Sequence, residues 1–263
     1  MTQSVYGASK LGGGALGPAA VPVVNHVGDD QQDTAHDYDE WMKQDSVSAS
    51  WVRFWFSPKR TLWLNTPART LAARLALRPA DRVLDVGCGY AGLLIYLHRK
   101  IRFTGTVDGI DCSARMVERA REEVRSRGMQ AHVEIRQGLA TALPYPDASV
   151  DVVLCTYVVK HLSDESLRTL LREVRRVLKP GGRFCLWEAA PSRYAFMQAW
   201  NLKLLRLGVS VVYLRTAAEL RVFLEEAGFT DLQPYGHGLY YFYPPLPRAG
   251  YIATSPAAVG TDT

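Results

Sequence analysis

The chain has 263 residues, of which 48% are hydrophobic and 22% charged, with a formal net charge of +5. That balance belongs to an ordinary water-soluble globule and excludes a fibrous or wholly disordered chain. No apolar run approaches the roughly 20 residues that span a bilayer, and "LGGGALGPAAVPVV" is too broken by Gly and Pro to serve as a secretory signal.

Residues 1–33, rich in Gly, Ala, Pro and Gln, read as a disordered tail. Residues 34–65 read as an N-terminal lid carrying Trp41, Trp51, Trp55 and Trp63. "TPARTLAARLAL" has helical spacing, with Thr66 as N-cap and Pro67 at the first position. "DRVLDVG" is a short apolar strand and "AGLLIYLHRKI" a helix. "GTVDGID" is a second strand, after which Ser113 caps "ARMVERAREEVRSRG". "AHVEIRQG" and "SVDVVLCTY" are the third and fourth strands. Ser163 then opens "SDESLRTLLREVRRVLKPGG", with Asp164 and Glu165 in the first turn where negative charge suits the helix dipole.

"RFCLWE" is the fifth strand, and residues 190–215 read as a substrate-covering insertion. After the helix "TAAELRVFLEEAGF", the close spacing of "TDLQPYG" and "LYYFYP" predicts an antiparallel hairpin, and residues 247–263 read as a flexible tail. Short apolar strands alternating with helices predict a parallel sheet covered on both faces. The expected fold is α/β and Rossmann-like, a mixed seven-stranded sheet with an antiparallel C-terminal hairpin and helical lid elements, over residues 34–246.

Arg and Glu alternate at helical spacing in two of the helices, which makes them solvated faces, and no nucleic-acid-binding motif accompanies them. Cys88, Cys112, Cys155 and Cys185 form no C-x-x-C pair. They read as reduced thiols in a cytoplasmic protein, with no metal site.

The loop "VGCGYAGLL" places Gly87, Gly89 and Gly92 at the spacing G-x-G-x-x-G, and Asp111 follows nineteen residues after Gly92. That spacing fits a dinucleotide fingerprint. Small residues between a strand and a helix let any ligand approach backbone N–H groups, so the glycines alone do not choose the ligand. Asp85, two residues before Gly87, would repel a pyrophosphate and attract an amino group. A dehydrogenase predicts NADH binding; the alternative is a cationic ligand.

"VLDVGCGYAG", "VDGIDCSARMVERAR", "ALPYPDASVDVVLCTYVVKHL", "LREVRRVLKPGGRFCLWE" and "LRVFLEEAGFTDL" resemble, in this order, the class I S-adenosylmethionine-dependent methyltransferases. The similarity is greatest to the group containing ubiquinone and menaquinone methyltransferases and many small-molecule methyltransferases. The resemblance implies S-adenosyl-L-methionine as cofactor. It assigns Asp85, Gly87, Cys88 and Gly89 to the methionine end and Asp111 to the two ribose hydroxyls. Cys112 and Met116 would lie against the adenine, with Gly138, Leu139 and Ala140 closing over its edge. Cys155 and Thr156 would line the sulfonium, and Tyr38 resembles a tyrosine laid over the cofactor by N-terminal helices. Leu139 stands where the family often has an acid for the adenine amino group.

Methyl transfer is an in-line displacement, dominated by proximity and orientation, and needs a base only when the acceptor holds its proton. His161, Glu188 and Tyr157 lie where the strands open onto the acceptor: His161 as base or packed imidazole, Glu188 as proton acceptor or amine ligand, Tyr157 as orienting group or core aromatic. Lys160 reads as a solvated edge charge. The Asn/Asp-Pro-Pro-aromatic and Pro-Cys signatures of nucleobase methyltransferases are absent, which disfavours nucleic acid as partner. The aromatic segments point to a small hydrophobic or aromatic substrate methylated on O or N. Three alternatives stand beside this: a lipid or quinone methylated at a membrane surface, aromatics that serve a homodimer, and a cofactor-binding protein that no longer transfers methyl.

Overall fold

The computed structural model describes residues 30–43, 66–206, 209–240 and 246–257. In chain order the elements are α1 (Asp30–Lys43), α2 (Thr66–Arg74), β1 (Val83–Val86), α3 (Gly92–Ile101), β2 (Val107–Asp111), α4 (Ala114–Ser126) and β3 (Val133–Gln137). They continue with β4 (Val150–Thr156), a 3-10 turn (Val159–His161), α5 (Asp164–Val177), β5 (Leu178–Ala189) and α6 (Ala195–Leu205). The chain ends in α7 (Ala217–Glu226), β6 (Thr230–Pro234), β7 (Gly238–Tyr240) and β8 (Leu246–Thr254).

The strand order is β3-β2-β1-β4-β5-β8-β6, with β7 also paired to β8. Strands β1 to β5 are mutually parallel, whereas β8 runs antiparallel to β5 and to β6. Because β6 and β7 pair with successive stretches of β8, they share one edge position, and the sheet has seven positions.

The antiparallel C-terminal strands are present, but residues 238–240 pair with β8 and not with β6. The second arm is Leu246–Thr254, which sequence reading gave to a flexible tail. That stretch lies between β5 and β6 with Ala249, Tyr251, Ile252 and Ala253 buried. Gly250 makes this possible: a Cβ there would meet the Leu186 carbonyl oxygen at 2.2 Å and Trp187 Cβ at 2.6 Å. The N-terminal boundary also moves. Asp30 already begins α1, and Gln31 is buried, so the expected tail over 1–33 overlaps a docked helix. The rest of that tail, and residues 44–65 of the expected lid, lie outside the described residues.

Alternate side chains of each inner strand enter two cores, as the two-residue period of a strand requires. Val153, Cys155, Phe184 and Leu186 face α5 and α7, joined by Leu167, Leu170, Leu171 and Leu224. Val152, Leu154, Cys185 and Trp187 face α2, α3 and α4, joined by Leu71, Leu94, Leu97 and Val124. Truncating one such Leu to Ala costs about 2–5 kcal/mol. The side chains of Ser113 and Ser163 accept hydrogen bonds from the N–H groups of Met116 and Ser166, capping α4 and α5. With both cores filled, the open place for chemistry is the C-terminal edge of the parallel strands.

Candidate active site

Asp85, Asp111, Thr156 and Glu188 stand at or next to the C-terminal ends of β1, β2, β4 and β5, and Gly138 follows β3. The glycine loop turns immediately after β1. Gly87 has φ of 72°, and a Cβ there would approach Val158 Cγ2 to 2.1 Å. The N–H groups of Gly87 and Cys88 both donate to the Ile110 carbonyl, at 2.7 and 3.0 Å, which pins the loop to β2. Gly92 opens α3, so the third glycine of the spacing is a first-turn residue.

Two carboxylates dominate the electrostatics. Asp85 is 2% exposed, and its Oδ1 has no hydrogen-bond partner. Burial, aided by the charge of Asp111, pushes its carboxyl up to about 8. Asp111 is held in place by the Gly89 N–H at Oδ2 (2.9 Å) and the Ser113 N–H at Oδ1 (3.0 Å). Burial raises it to about 6 against the pull of those N–H groups. This buried carboxyl, with Oδ1 unpartnered, stands beside a loop in which Gly87 and Gly89 carry no Cβ.

Helix α1 lies across this edge, held by three acids. Asp30 Oδ2 accepts from Ser163 N (2.8 Å) and Ser166 Oγ (2.9 Å) at the start of α5. Asp39 Oδ1 accepts from Ser113 Oγ (2.5 Å) and Arg115 N (3.1 Å) at the start of α4. Asp37 Oδ2 accepts from Ser210 N and Oγ at 2.7 and 2.6 Å. Negative charge at two helix N-termini is favourable against their dipoles. Gln31 completes the seam: Oε1 accepts from Ala140 N at 2.5 Å, and Nε2 donates to Thr141 Oγ1 at 2.7 Å. Sequence reasoning missed Asp30, Gln31, Asp37 and Asp39 because a polar helix over a polar edge has no apolar period to find.

Under α1, Tyr38 Oη stands 3.1 Å from His161 Nε2, with the rings edge to face at 5.5 Å. Burial and the charges of Asp111 and Glu188 keep the Tyr38 hydroxyl protonated, well above its ordinary range. His161 is 7% exposed, and its Nδ1 has no partner. Burial and the neighbouring Lys160 ammonium hold His161 well below the usual imidazole range, so it is neutral at pH 7. Its turn is rigid. Arg215, 5% exposed, donates to the carbonyls of Val159 (2.8 Å) and Leu162 (2.7 Å), and Tyr213 N donates to the Lys160 carbonyl at 2.6 Å.

Three expected roles change. Glu188 is 1% exposed and already bonded: Oε2 accepts from Lys160 N (3.1 Å), Oε1 from Ala189 N (2.7 Å), and Lys160 Nζ lies 3.5 Å from Oε1. It therefore anchors the turn bearing His161 and is not a free proton acceptor. Lys160 is buried in that ion pair, where a solvated charge was expected, and its ammonium also donates to the Tyr157 carbonyl. Cys155 is fully buried in the core facing α5, which removes its side chain from any sulfonium; Thr156 beyond it is half-buried at the edge.

The Cys88 side chain is also packed inward, within 2.9 Å of where a Gly109 Cβ would stand. Met116 is buried with Trp41 beside Tyr38, Met42 and Tyr90, beneath α1, and Cys112 is half-buried with its thiol raised to about 12. Leu139 is half-buried next to the Gln31–Ala140 contact. Tyr157 has φ of 60°, a costly conformation for an aromatic residue, fixed by its N–H donating to the Trp187 carbonyl at 3.0 Å. The described residues contain no cluster of His, Cys, Asp or Glu that could hold a metal.

Sheet order, glycine loop and paired acids together define a Rossmann-like methyltransferase fold with its site at the strand ends. The family pattern described as "Methyltransferase domain" matches residues 83–182. The demethylmenaquinone methyltransferase of Geobacillus kaustophilus is 32% identical over 187 residues, covering 63% of this chain and 79% of that protein. The 27-O-demethylrifamycin SV methyltransferase of Amycolatopsis mediterranei is 34% identical over 179 residues, covering 66% and 64% of the two chains.

Among solved structures, geranyl diphosphate C-methyltransferase from Streptomyces coelicolor, in complex with S-adenosyl-L-homocysteine, superposes with a TM-score of 0.56. It is 18% identical and is matched over 72% of this chain and 75% of its own. The chain belongs to the class I S-adenosylmethionine-dependent methyltransferases and acts on small molecules with S-adenosylmethionine as cofactor. Membership in this family sets aside the dehydrogenase alternative. No described helix is long and apolar enough to cross a membrane.

Proposed function

We propose that the enzyme methylates an oxygen, or failing that a nitrogen, of a small apolar or aromatic acceptor, with the Tyr38–His161 pair receiving the acceptor's proton. The observation that carries this reading is the buried Tyr38 Oη···His161 Nε2 contact of 3.1 Å between a protonated phenol and a neutral imidazole. A neutral imidazole in a dry site can take a proton as it develops, and general-base help of this kind contributes about 10²–10⁴ in rate. S-adenosylmethionine, when bound, supplies an electrophilic methyl group on its sulfonium.

The chain's own residues bind, orient and shield. Asp85 takes the amino group, and the N–H-lined Gly87–Gly89 loop receives the methionine end. Asp111, its carboxylate oriented by Gly89 and Ser113, takes the ribose hydroxyls. Met116 and Cys112 on one side, and Gly138, Leu139 and Ala140 on the other, flank the adenine, with Gln31 substituting for the missing acid as the polar side chain at that edge. Tyr38 and α1 exclude water, Thr156 and Tyr157 border the reacting centre, and Glu188, Lys160 and Arg215 fix the His161 turn. The name of the rifamycin relative supports an oxygen acceptor.

The test is mass spectrometry of products from hydroxylated naphthalenes and polyketide aglycones with the wild type, Tyr38→Phe and His161→Gln. O-methyl ethers that fall with both substitutions support the assignment, whereas exclusively carbon-methylated product overturns it.

A second reading, methylation of a lipid-like quinone at a membrane surface, is supported by Phe196, Trp200 and Tyr194, which are 73%, 52% and 47% exposed beside Arg193. The names of the demethylmenaquinone relatives point the same way. The aromatic and basic stretch 51–63 that first motivated it lies outside the described residues. Co-sedimentation with phosphatidylglycerol vesicles that Phe196→Ala abolishes supports it; an unpelleted wild type contradicts it.

A further inference from the structure

Helix α6 reverses the usual pattern of a surface helix. Phe196 and Trp200 stand in solvent, while the one side chain it fully buries is the carboxamide of Asn201, at 0% exposure. Neither Oδ1 nor Nδ2 of Asn201 has a hydrogen-bond partner. A carboxamide offers two donors and an acceptor, and burying all of them unpaired is destabilising, so folded proteins seldom retain such a group without a use for it.

Its position says what that use is. Leu205, four residues on and therefore on the same helical face, packs against the cluster of Ala189 and Leu246, against which Tyr157 also packs. Ala189 ends β5 directly after Glu188, and Tyr157 follows the end of β4. The buried face of α6 therefore looks onto the acceptor end of the crevice, the side of β4 and β5, away from the cofactor acids on β1 and β2.

We infer that Asn201 recognises the acceptor, pairing its carboxamide with a neutral oxygen function, a carbonyl with a neighbouring hydroxyl, on an otherwise apolar molecule. This deepens the methyl-transfer reading and rests on it. A charged group is disfavoured because the amide brings no countercharge into a buried site. An acceptor without that oxygen would leave the amide unpaired, which is the strongest form of selectivity a pocket can apply.

The test uses the full chain saturated with S-adenosylhomocysteine, in the wild type and in Asn201→Leu, which keeps the volume and removes the polar atoms. Two probes of one ring system are compared by calorimetry: 1-hydroxy-2-acetonaphthone, a carbonyl beside a hydroxyl that stays neutral at pH 7, and naphthalene. The expected result is a preference of about tenfold or more for the hydroxyketone in the wild type, reduced to near parity in Asn201→Leu. Without either probe, Asn201→Leu should melt higher than the wild type, because an unpaired buried amide has been removed. A lower melting temperature, showing a structural partner for the amide, overturns the inference, as does a preference that survives the substitution. If neither probe binds, the melting comparison decides alone. Failure of the wild type to bind S-adenosylhomocysteine contradicts instead the reading beneath it.

Discussion

Cofactor binding at pH 7 should release close to one proton, and the proton should come from Asp85. Its carboxyl, buried beside Asp111, is raised to about 8, so at pH 7 roughly nine-tenths of the free protein carries it protonated. An ammonium placed against the orphaned Oδ1 favours the charged form and brings the carboxyl well below 7, so that it is almost wholly ionised in the complex. The exchange is then about 0.9 proton from Asp85, and about 0.1 from Asp111, whose carboxyl at about 6 is already mostly ionised. Titrating S-adenosylhomocysteine by calorimetry at pH 7 in phosphate and in Tris, which differ in ionisation enthalpy, reads this number directly. Asp85→Asn should cut the exchange to the roughly 0.1 proton of Asp111 and weaken binding by about 100-fold, the cost of removing one partner of a buried charged contact. Raised carboxyl values also set a sign for the free protein: stability falls as pH rises from the ordinary Asp range towards 8. Asp85→Asn should therefore melt higher at pH 7 without ligand. Zero proton exchange in the wild type, or equal affinity of Asp85→Asn, refutes the amino-group assignment.

Other outcomes follow from the same geometry. Asp111→Ala should lower S-adenosylhomocysteine affinity by at least about 100-fold by calorimetry, since it removes the ribose partner and frees the Gly89 N–H. Asp30→Ala combined with Asp39→Ala should lose about 1–2 kcal/mol of docking per acid. Hydrogen exchange over 30–43 and S-adenosylhomocysteine dissociation should both accelerate about tenfold or more, while the core melts almost unchanged. Hydrogen bonds hold the Asp30 carboxyl below its ordinary range, so this clasp persists at neutral pH and opens only as pH falls through that lowered value. Gly87→Ala should lower the melting temperature by several degrees, because its Cβ meets Val158 in a left-handed conformation. Adding Val158→Ala should restore part of that loss. His161→Gln should cut kcat by about 10²-fold or more, and the acid limb of the wild-type profile should lie below the usual histidine range.

What the sequence displayed, and what it hid, divides along physical lines. The five parallel strands and their helices were legible because short apolar runs alternate with stretches of 3.6-residue period, several of them bounded by a glycine or a capping serine. Asp85, Gly87, Gly89 and Asp111 were legible because their spacing is fixed by the strand–loop–helix geometry they serve. Strand β8 was not, since Ala249, Gly250 and Ala253 are small residues, Gly250 for its close approach to Leu186 and Trp187, and small residues mimic a tail. Burial of Lys160 and Glu188 was not either: an ion pair across 28 residues leaves no local trace, so one partner passed for a solvated charge and the other for a base. Cys155 differs from Thr156 only by the alternation of the strand, and one step of register separates core from crevice.

Binding of S-adenosylmethionine in one orientation beneath α1, in the crevice at the strand ends, is tested most directly by the crystal structure of the complex with S-adenosylhomocysteine. The expected density places the amino group against Asp85, the ribose hydroxyls on Asp111, the adenine between Met116 and Leu139, and the sulfur towards Tyr38 and His161. A ligand bound elsewhere, or reversed so that the adenine meets Asp85, would contradict it.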